Sequence, residues 1–261
     1  MLFRTVAGET LAITQTTHAW VSGQLARAWG NDLTGAVEPR EAVCLAAEQH
    51  DIGWLNREPE PSLNIEAGRP RSFLELPPET HLGEIWSQAG HMALLTNRYA
   101  ALLVSMHGTN LYGRFRGDPT AANGLAQPFL ESQDAFQAKL IASLRDDPNY
   151  ASYVAEDVLR RNQRLVALWD RLSLDICRGL SQPDQIEKVP FAAADQPLTI
   201  APVNNDPDRF TIDPWPFSQD HVNLIFEGRV LSERFTDEAT LNAGLANAPW
   251  RSIGVRLNPA E

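Results

Sequence analysis

Lysine is almost missing from this chain. Of 22 basic residues among 261, only Lys139 and Lys188 are lysines, and the formal net charge is −11. That balance argues against nucleic acid and anionic membranes as partners, because both are held by a cationic surface that neutralises phosphates. Cysteine is equally scarce. Cys44 and Cys177 stand alone, without metal-ligand spacing, in apolar helical stretches, so neither a disulfide framework nor a zinc ribbon is expected. No apolar run approaches the roughly 18 residues of a membrane span. The first residues, MLFRTVAGETLAIT, lack the basic region, apolar run and cleavage site of a secretory signal, which leads to the expectation of a cytoplasmic protein. Internal repeats and low-complexity tracts are also missing, and no feature specifies an oligomeric state.

What is present is an ordinary globular composition, 43% hydrophobic and 21% charged, long enough for one large domain or one domain with an appendage. Residues 2–14 read as a hairpin around Gly8, followed by a helix with Thr17 as N-cap. In that helix Val21, Leu25 and Trp29 fall on the same face as His18. A second helix starts near Pro39, carries Val43, Ala46, Ala47 and His50 on one face, and stops at Gly53. Residues 55–80 show no sustained periodicity and read as a functional loop, a lid or wall. A helix from about Thr80 aligns Leu82, Ile85, Trp86, Ala89 and Ala93. The next, NRYAALLVSMH, aligns Tyr99, Ala100, Leu103 and Val104 with His107. A long helical stretch leads through Asp170 to about residue 182. Beyond it prolines recur, and VNLIF and RVLSERF read as a hairpin turning at Glu227-Gly228, followed by a short helix from Thr236 and a last strand, SIGVRL.

Four helices therefore each offer a metal-ligand type of residue from a core-facing position: His18, His50 with Asp51, His107, and Asp170. Arg171 and Asp175 are spaced as a solvated i,i+4 ion pair. Asp170, by contrast, lies between Val166 and Ala167 on one side and Leu174 and Cys177 on the other. A buried carboxylate costs several kcal/mol at least unless it meets a cation or a strong donor set, so Asp170 needs a partner. Imidazoles and carboxylates together suit one or two divalent ions such as Fe, Mn, Zn, Ni or Co. His81, at an element start, and His221, in a loop, read as surface residues. Trp20, Trp54 and Trp86 read as core or pocket wall, and Gln15 and Gln49 as donors beside the ligands.

A histidine on a first helix, a His-Asp pair ending a second, further histidines and a last aspartate in a DRL context resemble the HD superfamily of metal-dependent phosphohydrolases. More narrowly, ITQTTHAWVSGQLA, EQHDIGW, YAALLVSMH, WDRLSLDIC and the later DPWPF look like an uncharacterised bacterial family of unknown function with HD-like motifs. The resemblance implies that His18, His50, Asp51 and Asp170 hold one ion, with Asp51 shared with a second. In two-metal members two more histidines bind that second ion, and the candidates here are His91 and His107. They stand sixteen positions apart, about 24 Å along an unbroken helix, so only a break near Thr96-Asn97 brings both to one site. His91 also lies off the apolar stripe of its helix.

The expected fold is accordingly mainly α: an HD-like helical bundle with a small antiparallel sheet built from the N-terminal hairpin and the C-terminal strands. Residues 1–182 form the metal-binding domain, and 183–261 a β-rich extension packed on it. The expected function is hydrolysis of a small-molecule phosphate ester or phosphoanhydride by metal-activated water, with Asp51 catalytic and Arg57, Arg69 or Arg71 binding substrate oxygens. The alternatives are a di-iron oxygenase of HD type and a metal- or ligand-binding module without turnover.

Overall fold

The computed structural model describes residues 1–6 and 8–260. Strands β1 (Leu2–Val6) and β2 (Glu9–Ile13) form the N-terminal hairpin. Helix α1 (Gln15–Ala28) starts earlier than expected. The Thr14 side chain, not that of Thr17, caps it, accepting the Thr17 backbone N–H at 3.0 Å, which satisfies one of the free donors of the first turn. Helix α2 (Arg40–Gln49) follows Pro39 and ends at His50.

The stretch expected to be irregular holds a 3₁₀ turn (Ile52–Asn56), a minimal hairpin of β3 (Leu63–Asn64) and β4 (Arg69–Pro70), and a second 3₁₀ turn (Phe73–Glu75) closed by a Ser72/Glu75 capping box. The helix expected from Thr80 is a π-helix (Glu79–Trp86) continuing into α3 (Ser87–Leu94). After a break comes α4 (Arg98–Tyr112), capped by the Asn97 side chain. Helices α5 (Ala126–Arg145) and α6 (Glu156–Arg178) follow, and α6 stops at Gly179, whose φ of +76° suits a residue without Cβ.

The remaining chain overturns the expected fold class. Strands β5 (Asp184–Pro190), β6 (Asp195–Val203), β7 (Asp206–Asp213), β8 (Val222–Leu231) and β9 (Trp250–Pro259) join the hairpin in one seven-stranded sheet, ordered β1-β2-β8-β9-β7-β6-β5. Strand content is 23% beside 48% helix. The sheet is therefore a substantial layer rather than an attachment to a mainly α bundle, and it is not purely antiparallel, because β7 and β9 run parallel. The turn read at Glu227-Gly228 does not exist. Gly228 sits inside β8 opposite Arg251, where a Cβ would come within 3.2 Å of the Ala12 carbonyl oxygen. The glycine serves the close approach of β2, not a reversal. Helix α7 (Glu238–Asn247) is capped by Asp237.

Helices α1 and α6 form the layer that meets the sheet, through β8 for α1 and through β1 and β5 for α6. One hydrophobic cluster runs through helices and strands alike. At its middle Trp29, the residue that ends α1, stands edge-on to Trp169 of α6 at 5.9 Å and to Phe217 at 5.8 Å. Behind this layer α2 and α4 pack on α1 and α6, so four helices converge. Among the described residues no helix is long and apolar enough to cross a membrane.

Candidate metal centre

The convergence brings His18 of α1, His50 and Asp51 at the end of α2, His107 of α4 and Asp170 of α6 into one cluster. All are buried except the Asp170 side chain, which is 17% exposed. His18 Nε2 lies 2.7 Å from Asp51 Oδ2. His50 Nε2 is 3.3 Å from Asp170 Oδ1 and 3.8 Å from Asp51 Oδ2, and His107 Nε2 is 3.5 Å from Asp170 Oδ2. Ligands about 2.0–2.2 Å from a common ion lie no more than about 4.4 Å apart, and each of these distances falls inside that limit. The donor atoms form two overlapping groups, His18-His50-Asp51 and His50-His107-Asp170, each with all atoms within 4.8 Å of one another.

Hydrogen bonds behind the rings set which nitrogens face the cluster. His50 Nδ1–H donates to the Ala47 carbonyl at 2.8 Å, which turns Nε2 inward, toward the two carboxylates. That Nε2 is buried and has no hydrogen-bond partner among the described residues. Ser173 Oγ–H donates to the Asp170 carbonyl at 2.8 Å and accepts from His18 Nδ1–H at 2.9 Å, which turns His18 Nε2 toward Asp51 Oδ2, at a separation that a proton or a cation must bridge. Ser22 Oγ–H donates to the Trp169 carbonyl at 3.1 Å and lies 2.9 Å from Ser173 Oγ. Such outer contacts fix tautomer and ring orientation. Nδ1 of His107 is buried without a partner.

The electrostatics follow from two carboxylates in a desolvated space. Burial works to lower the pKa of His50, but the charges of Asp51 and Asp170 outweigh it and push it up to about 9. Burial dominates at His107 and pushes it down to about 4. At Asp170 burial opposes ionisation, yet the charge of His50, aided by His107 and His18, prevails and holds the carboxyl well below the usual carboxylate range.

A cavity of about 360 Å³ opens onto the cluster, with His18, Asp51, His107 and Asp170 in its floor. Trp54, Phe73, Trp86 and Leu174 wall it, and Trp86 packs on the His107 ring at 5.6 Å. His81, read from the sequence as a surface residue, lines this cavity instead, its Nε2–H donating to the Phe73 carbonyl at 2.8 Å. The π-helical turn carries it there, and a 3.6-residue periodicity gives no sign of that. Gln15 also lines the cavity, with Oε1 buried and unpartnered. The serines behind His18 had no signal at all in the sequence.

The other candidates stand elsewhere. His91 stacks on Phe136 at 4.3 Å on the outer face of α3, although α3 and α4 are indeed broken apart between them. Arg57 pairs with Glu84 at 2.7 Å and Arg69 with Glu75 at 3.0 Å, while Arg71 is exposed. None of the three lines the cavity; Arg114 does. Gln49 and Trp20 lie outside it too, and Trp20 is exposed. Both cysteines are free and buried.

Neither a curated protein nor a solved structure matches this chain. One family profile does, over residues 1–233, and that span shows membership: the chain belongs to the family described as Protein of unknown function (DUF3891).

Proposed function

We propose that this protein is a metal-dependent hydrolase of a small-molecule phosphate ester, with one divalent ion held where the donor groups His18-His50-Asp51 and His50-His107-Asp170 overlap at His50. The observation that carries the reading is the buried, partnerless Nε2 of His50 facing two carboxylates. A lone pair aimed at carboxylate oxygens is repelled unless a proton or cation lies between, and an unpaired buried polar atom costs about 1–3 kcal/mol. Three imidazoles and two carboxylates form a donor set of the kind that borderline divalent ions take, and two carboxylates balance their charge. A bound ion of this kind supplies Lewis acidity and brings the pKa of a bound water toward about 7.

The chain's own residues do the rest. The Ala47 carbonyl and Ser173 hold the His50 and His18 rings in the ligating orientation. Asp51 and Asp170 reach both the cluster and the cavity, and Asp51 is the carboxylate that takes the proton from the attacking water. Trp54, Phe73 and Trp86 exclude bulk water from that position. The likeness of the motifs to HD phosphohydrolases supports a phosphate ester as the bond attacked. That support rests on side chains alone, since the seven-stranded sheet sets the architecture apart from a helical bundle. The di-iron alternative needs a fuller ligand set for a second iron than two groups sharing His50 provide, and His91, the further candidate, packs on Phe136 away from the cluster.

The test is metal analysis of protein stripped with chelator and reloaded with single ions. One equivalent of one ion should bind, and phosphate release from a small ester should depend on it. The double variant His50→Ala/Asp51→Ala should lose the ion while keeping its far-UV circular dichroism. Unchanged metal content in that variant overturns the proposal.

A further inference from the structure

We infer that the cavity takes a substrate with a single anionic head and an apolar, ring-bearing body, and rejects polyphosphates such as nucleoside triphosphates. The inference rests on the metal-centre reading above and narrows its substrate. Three independent features of the cavity lead to it.

The first is charge. Among the described residues lining the cavity, Arg114 is the one permanent cation. Arg57 and Arg69 are neutralised by Glu84 and Glu75, and the chain's two lysines do not line the cavity. A polyphosphate brings several negative charges to a floor that already holds two carboxylates. One ion and one guanidinium leave that charge uncompensated, whereas a single anionic head is matched.

The second is the mouth. Leu74 is 73% exposed and Leu111 is 43% exposed, and both line the cavity. Leu74 is not frayed: its N–H donates to Ser72 Oγ, and Glu75 closes the turn by accepting the Ser72 N–H at 2.7 Å. Two leucines held open to water at the rim of a concave, aromatic-walled site fit an apolar ligand surface. The third is size and polarity. At about 360 Å³ the cavity sits at the small end of the about 300–1,000 Å³ found for ligand sites. Outside the cluster and Arg114, the polar side chains among the described lining residues are Gln15, with an unpartnered carboxamide oxygen, Tyr112 and His81, whose Nε2 is already committed to the Phe73 carbonyl. A ribose and base with their many polar atoms would go largely unsatisfied.

The experiment titrates metal-loaded protein with 1-naphthyl phosphate, 1-naphthylacetate, inorganic phosphate and ATP. Binding is followed by calorimetry and by the emission of Trp54 and Trp86 in the cavity wall. Wild type should bind 1-naphthyl phosphate about tenfold or more tighter than inorganic phosphate or ATP. The surface variant Leu74→Ser/Leu111→Ser should weaken naphthyl phosphate about tenfold and leave inorganic phosphate unchanged. Arg114→Gln should weaken both. The naphthylacetate arm separates the sources of the head: tighter binding of the phosphate assigns a phosphate monoester, tighter binding of the acetate a carboxylate, and either supports a single-anion substrate. ATP binding as tightly as naphthyl phosphate, or an unaffected leucine variant, overturns the inference. Metal content is measured on the same samples. Normal metal without naphthyl phosphate binding defeats only this inference, and absent metal defeats the reading beneath it.

Discussion

His18 shows how one ring can be set by residues the sequence gives no reason to notice. Its Nδ1–H has a single acceptor, Ser173 Oγ, and that serine is held in turn by the Asp170 carbonyl one turn back in α6. Ser173→Ala removes the acceptor, frees the ring to take the other tautomer, and places a proton on the nitrogen that faces Asp51. Loss of such an outer contact typically costs about 10–100-fold in metal affinity. That weakening should appear in competition with a chromophoric chelator, while the α-helical circular dichroism stays at the wild-type level. His50 carries a second prediction, on pH. Its folded pKa of about 9 lies above the ordinary 6.5, so in metal-free protein its contribution to stability is complete below 6.5 and is lost as pH rises through 9. Urea unfolding of metal-free protein should therefore show stability falling between about pH 6.5 and 9, and His50→Gln should flatten that slope. His107, pushed down to about 4, acts in the opposite sense and in a separate window, its contribution being lost as pH falls from 6.5 through 4.

The elements that place the clustered side chains were legible where they bury a single stripe at helical spacing. That is why α1, α2, α4 and α6, and with them His18, His50, His107 and Asp170, could be read from residue types alone. The connecting segment could not. Arg57 and Arg69 look free in sequence because the acids that neutralise them, Glu84 and Glu75, are recognisable as partners only once the segment folds back. The π-helix defeats a 3.6-residue reading and so hid His81. Strands β5 to β7 carry Asp, Gln and Pro in place of clean alternation, and a single glycine in β8 mimicked a turn. The junction most exposed to substitution lies between the 3₁₀ turn after Asp51 and this π-helix. A Cβ on Gly53 would sit 2.4 Å from the Ile85 carbonyl oxygen, a backbone atom that no side-chain rotation can move aside. Gly53→Ala should cost about 1–3 kcal/mol in urea unfolding. It should also weaken metal binding, because Asp51 is two residues away, and unchanged affinity would show the turn and the ligand to be mechanically independent.

At the scale of the molecule, the question is whether helices and sheet melt as one. A chain of 261 residues is beyond the about 150 for which all-or-none unfolding is usual, so cooperativity has to come from the packing. Here one cluster continues through both layers, with Trp29 clasped between Trp169 of α6 and Phe217 of the connection before β8. The sheet itself also joins the chain ends, β2 pairing with β8. Unfolding β5–β9 alone would strip the cover from α1 and α6 and expose those aromatic rings, so no half-folded state keeps a complete core. Tryptophan emission, which reports the clasp, and far-UV circular dichroism, which reports the helices, should lose their native values at the same denaturant concentration. An ion that binds only the native state should then move both curves together. At about 100 times its Kd it adds about 2.7 kcal/mol, felt by the sheet as well because Asp170 and the packing against β5 lie on the same helix, α6. Two separate transitions, with the ion shifting only the helical one, would instead mean that residues 183–261 fold as a unit of their own.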